Sequence, residues 1–162
     1  MLKLIGLTLT FVACVNGAAI TFSLDQPVAS ASKGDFVVFS GTITNVGIDT
    51  AYLNGALGSL PFSDLLVDYT AFFTAVPASL AVGEFYAGEI FGVSVGLFAG
   101  AGDYFGSFTI QGGADAFSFD DMSTQSFQVN VASVPEPGTG PFVLAGFVCA
   151  VLGGFSRRFR HR

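Results

Sequence analysis

Hydrophobic residues recur at every second position through much of this chain. Between Asp35 and Asn45, Val37, Phe39, Gly41 and Ile43 alternate with Val38, Ser40, Thr42 and Thr44. A period of two puts alternate side chains on opposite faces of a strand, one face in and one largely out. The pattern returns in Phe91, Val93, Val95 and Leu97, in Tyr104, Gly106, Phe108 and Ile110, and in Phe127, Val129 and Val131. These runs predict extended segments over residues 84–97, 103–111 and 125–131. Residues 20–24 and 51–53 read as shorter strands, the second closed by the turn pair Asn54-Gly55. Residues 25–34 read as a turn region, 99–102 as a turn and 112–122 as an acidic, glycine-led loop. Residues 56–80 have no clear period, and Pro61 and Pro77 restrict them to short edge strands or a single helical turn. No stretch of useful length inside residues 20–133 has a helical period. About seven strands with a turn every ten residues or so predict an antiparallel two-sheet sandwich.

Both ends depart from this alternation. Residues 1–19 combine Lys3, an apolar run from Leu4 to Val15 and the small residues Gly17 and Ala19. That is the order of a secretory signal peptide, with a cut after Ala19 or Gly17. Cys14 offers a rival reading as a lipoprotein cysteine, but Phe11 stands where such a motif wants Leu. Residues 134–162 open with Val134-Pro135-Glu136-Pro137. Each proline fixes φ and lacks a donor, so the backbone around Glu136 is extended. An uncharged apolar run, residues 141–155, comes next. As a helix it spans about 22 Å, short of a hydrocarbon core about 30 Å thick. Local thinning or snorkelling side chains would make up the difference. The run has no polar face, which argues against a core helix and for one transmembrane helix. The basic end, residues 156–162, carries Arg157, Arg158, Arg160 and Arg162. It sets the C-terminus in the cytoplasm and everything before the span outside.

Charge and composition narrow the function classes. Lys33 is the only base between the leader and the tail. Residues 20–133 carry eleven of the chain's twelve acids, a net charge of −10. Such a surface repels phosphate backbones, so no nucleic-acid partner is expected. The two cysteines, Cys14 and Cys149, both lie in the terminal segments. The domain therefore has neither a disulfide framework nor a thiolate metal site, and its core must hold by apolar burial alone. Nineteen phenylalanines and twenty-one glycines suit strands and tight turns better than helices.

The Val134-Pro135-Glu136-Pro137 motif, the apolar run and the four terminal arginines resemble the PEP-CTERM sorting signal of exported bacterial proteins. The resemblance covers about a fifth of the chain. It implies recognition by an exosortase-type processing protease and association with extracellular polysaccharide or biofilm matrix, after export by the Sec machinery. Residues 34–45, Gly-Asp-Phe-Val-Val-Phe-Ser-Gly-Thr-Ile-Thr-Asn, resemble the second strand of bacterial immunoglobulin-like surface domains. Residues 102–110 resemble their penultimate strand, where Asp103 and Tyr104 precede the buried positions. These likenesses imply an immunoglobulin-like form of the sandwich, and a fold does not carry a function.

Candidate chemistry is sparse. Residues 20–133 contain no His, Cys, Arg or Trp, and His161 lies in the basic tail. A Ser-His-Asp or Cys-His nucleophile and an imidazole zinc site are therefore excluded from the domain. Carboxylates remain. Glu84 and Glu89, five apart on a strand, point to opposite faces, whereas Asp64 and Asp68, four apart, could share one; a glycosidase needs two across a cleft. Asp115, Asp120 and Asp121 are weak calcium candidates whose spacing matches no EF-hand loop. No cofactor is implied. The expected function is a non-enzymatic, exported cell-surface or extracellular-matrix protein sorted through its tail. The alternative is a carbohydrate- or partner-binding adhesin-like module, and a carboxylate-only hydrolase stands third.

Overall fold

The computed structural model describes residues 17–133. Residues 1–16 of the expected signal peptide, the Pro-Glu-Pro motif, the apolar run and the terminal arginines lie outside the described residues. In chain order the elements are β1 (Ile20–Leu24), β2 (Val28–Ala31), β3 (Phe36–Asn45), β4 (Ala51–Ser59), β5 (Leu65–Asp68), α1 (Thr70–Ala75), β6 (Ser79–Leu80), β7 (Phe85–Val95), β8 (Gly102–Gly113) and β9 (Asp120–Val131). They form two sheets, ordered β1-β3-β7-β5 and β2-β9-β8-β4-β6. The pairings are antiparallel except that β2 runs parallel to β9. The chain is thus an all-β two-sheet sandwich, and its strand order follows the immunoglobulin-like arrangement.

The core is a phenylalanine stack. Phe39 and Phe91 face each other across the β3–β7 pair with centroids 4.8 Å apart and planes 13° apart. Phe91 stacks in turn on Phe108 of the opposite sheet at 4.2 Å and 6°. Phe127 tilts against Phe39 and Phe91, while Phe22 and Phe72 meet Phe108 edge-on. Immunoglobulin domains commonly staple their sheets here with a disulfide beside a tryptophan. The present sandwich bridges them with rings, each burying a large apolar area.

The structure differs from the expected elements where pairing is non-local. Residues 25–34 hold a strand, β2, whose partner β9 lies about a hundred residues later, so no local pattern announces it. Asn54-Gly55 is a bulge, and β4 runs on to Ser59. The Asn54 amide donates to the carbonyls of Asp115 and Ser118 at 2.8 Å each, and the Phe119 ring fills the space a side chain at position 55 would need. The loop expected over 112–122 shrinks because β8 and β9 stay paired through Gln111↔Asp121 and Gly112↔Asp120. Residues 56–80 contain both alternatives, short strands and one helical turn. Leu97, expected on the buried face, is 71% exposed, because β7 ends at Val95 and Gly96 N donates to Asp64 O.

Side chains close positions where strands would otherwise offer free backbone groups, a known protection against edge pairing. Gln125 Nε2 donates to Phe22 O at 2.7 Å on β1. Tyr69 Oη accepts from Gly58 N at 2.9 Å on β4. Tyr104 Oη donates to Gly100 O at 2.9 Å, a contact of the tyrosine-corner kind at the entry to β8.

The fold also reaches back past Ile20. Ala19 O accepts from Val46 N at 2.9 Å and Gly47 N at 3.1 Å, and Ala18 packs against the core. A fragment beginning at Ile20 loses both bonds, each worth about 1 kcal/mol. It should melt about 5 °C or more below one beginning at Gly17. Calorimetry of the two fragments checks this, and equal melting temperatures would contradict it.

Candidate functional site

The structure does not gather the acidic loop residues. Asp115 Oδ1 accepts from Phe117 N at 2.8 Å and Ser118 Oγ at 3.0 Å, closing a local turn. The Phe117 amide first, and the Ser118 hydroxyl second, hold its carboxyl below the usual aspartate range. Asp121 Oδ1 accepts from Gln111 Nε2 at 2.8 Å across the β8–β9 pair. Asp120 heads β9. Among the described residues no group of three or more His, Cys, Asp or Glu could hold a metal ion. A calcium site held at 100 times its dissociation constant would add about 2.7 kcal/mol, or about ten degrees for a small domain. The expected result is a melting temperature that does not move with millimolar calcium. A ten-degree rise lost in Asp120→Ala or Asp121→Ala would assign calcium to the loop.

The remaining carboxylates separate as well. Glu84 turns back on its own turn, accepting from Ala81 N at 2.8 Å. Asp64 lies before β5, where its carbonyl accepts from Gly96 N. Asp68 and Glu89 do share a feature. Both line a groove of about 310 Å³ on the outer face of the first sheet, with Phe36, Val38 and Ala71. Phe36 lies over Gly92, where a side chain would collide with its ring. Asp68 Oδ1 accepts from Thr70 N at 2.7 Å. The Thr70 side chain first, then its amide, holds the Asp68 carboxyl below the usual range. A general acid in a glycosidase needs the opposite shift. Any stability these two depressed aspartates supply is present above the ordinary aspartate range and is lost as pH falls through their folded-state values.

Sequence reasoning did not find a second surface, the outer face of the β2-β9-β8-β4 sheet. Register places Ser59, Ser107 and Ser126 in one row and Leu57, Thr109 and Thr124 in the next. Thr109 and Thr124 hydroxyls bond at 2.8 Å. Phe105, 60% exposed, stands beside them and borders a shallow groove with Ser59 and Pro61. The signal was present in the sequence as the polar half of each alternating strand, but only the register shows that these halves align.

Among the described residues no helix is long and apolar enough to cross a membrane. Val134, Pro135, Glu136, Pro137 and the four arginines lie outside the described residues.

No family model matches the chain. No curated protein matches it either. Solved structures similar to it include domains 4 and 5 of the S-layer protein SbsC, with 13% identity, a TM-score of 0.45 and coverage of 72% of this chain and 47% of that one. A fragment of alpha-2-macroglobulin from Escherichia coli shares 20% identity at a TM-score of 0.47, over 71% of this chain and 17% of that one. A CARDB domain from Pyrococcus furiosus shares 12% identity at 0.42, over 71% and 95%. The chain thus spans less than half the length of the first two.

Proposed function

We propose that this is an exported, non-enzymatic protein of the cell surface or extracellular matrix, sorted and processed through its C-terminal signal. The junction between sandwich and tail carries the reading. β9 ends at Val131, and Ala132 N still donates to Ala31 O at 2.9 Å. The folded unit therefore runs to within two residues of Val134, and a cut at the Pro-Glu-Pro motif leaves it whole. An exosortase-type protease is the processing partner, the Sec machinery and the membrane are the route, and extracellular polysaccharide is the surrounding matrix. The residue types of the domain support the non-enzymatic half of the proposal.

The second reading, a carbohydrate- or partner-binding module, draws on the groove beside Phe36 and the hydroxyl rows beside Phe105. A glycan array distinguishes it by binding that is lost in Phe36→Ala or Phe105→Ala. The main reading is tested on intact cells of the native host. Added protease should digest the domain while a cytoplasmic marker survives. A domain digested only after lysis would contradict export.

A further inference from the structure

The chain leaves the sandwich at a definite end. Val131 pairs with Gly102, and Ala132 with Ala31, so the exit lies beside the turns at residues 32–35 and 96–101. Ala99 N donates to Gly96 O at 3.1 Å, which makes Leu97 and Phe98 the two central residues of a tight turn. Those positions ordinarily take Gly, Pro, Asn, Asp or Ser. Here they hold two large apolar side chains, 71% and 91% exposed. The turn is fixed from behind by buried Ala99 and by the Gly96 N to Asp64 O bond at 2.7 Å. Residues 96–102 carry no charge. Lys33, the only base among the described residues, sits on the neighbouring turn. Asp35, Asp64 and Asp103 share this end, with Asp35 Oδ2 occupied by Ser32 N at 2.7 Å.

The opposite end also exposes apolar residues, Ile48 and Phe117 among them. They stand among Asp49, Glu84, Asp115, Asp120 and Asp121, with no base nearby in sequence. An anionic lipid surface repels that end more strongly than the exit end. Residues 134–140 separate the sandwich from the apolar run. Seven extended residues reach at most about 25 Å, so a chain anchored by that run keeps its exit end within that distance of the bilayer.

From this placement we propose that the exit end docks on a lipid bilayer, with Leu97 and Phe98 entering the interfacial layer and Lys33 facing the headgroups. The inference rests on the reading of residues 141–155 as a membrane anchor. Docking holds the sandwich upright, with its N-terminal end outward. It also confines the Pro-Glu-Pro segment to the membrane surface, where a membrane-embedded protease can reach it.

The chain has no tryptophan, so a single introduced indole reports its own surroundings. Phe98→Trp and Phe117→Trp place it at two sites of matched exposure, 91% and 90%, at opposite ends. Each chain, taken from Gly17 to Arg162 so that the apolar leader is absent, is reconstituted into vesicles of phosphatidylethanolamine and phosphatidylglycerol, with and without bromine on the acyl chains, and floated on a density gradient. The expected result is co-flotation of both chains, with a blue shift and bromine quenching for Phe98→Trp only. Co-flotation with Phe98→Trp unquenched, or with Phe117→Trp quenched instead, overturns the docking and leaves the anchor standing. Failure to co-float overturns the anchor and the docking together.

Discussion

Phe108→Ala should lower the unfolding free energy of the sandwich by about 3–5 kcal/mol. Phe108 is fully buried, and its ring is the meeting point of both sheets and the short helix. It stacks on Phe91 and touches Phe22, Phe72 and Tyr69. Truncation removes all of these contacts and leaves a hole between strands that the backbone ladders hold apart. No disulfide lies within residues 17–133 to limit the loss. A domain of this size has only about 5–15 kcal/mol in total, so the variant should melt at least about 12 °C lower. Phe105→Ala on the same strand is the control. Its ring is 60% exposed, and its melting temperature should move by a few degrees at most. Equal losses in the two variants would contradict the assignment of the stack as the core.

The second large effect concerns the tail. Glu136→Ala removes the only charge between Asp121 and Arg157 and leaves the apolar run untouched. Processing should stop while the precursor still enters the membrane. Changing Arg157, Arg158 and Arg160 together to Ala should act differently, weakening retention and orientation, because positive charge resists translocation. Immunoblots of membrane and released fractions from the native host distinguish the two. The first variant should accumulate in the membrane at precursor size, and the second should lose its fixed topology.

What the sequence made legible was whatever depends on neighbouring residues. The period of two located β3, β7, β8 and β9, because each buries alternate side chains over part of its length, as from Phe39 to Asn45 in β3 and from Phe127 to Val131 in β9. β1 was legible from residues 20–24 to the residue. What depends on distant partners was not. β2 is four residues long and owes its existence to β9. Asn54-Gly55 has the composition of a turn, yet the Asp115 and Ser118 carbonyls across the sheet convert it to a bulge. Leu97 continued the alternation of β7 on paper, but Asp64 O takes the Gly96 amide and turns the chain outward. Asp115 and Asp121 are close in sequence but have separate hydrogen-bond partners, which spacing alone does not reveal. The groove beside Phe36 joins β3, β5, α1 and β7, so no local motif could announce it.

The central claim is that the chain is processed at its tail and that the sandwich is what remains. The direct measurement is the intact mass of the mature protein recovered from its native host. The account predicts a species that ends near the Pro-Glu-Pro motif and lacks residues 142–162. A mature protein that retains residues 142–162 would contradict processing there and leave a protein held by an uncleaved tail.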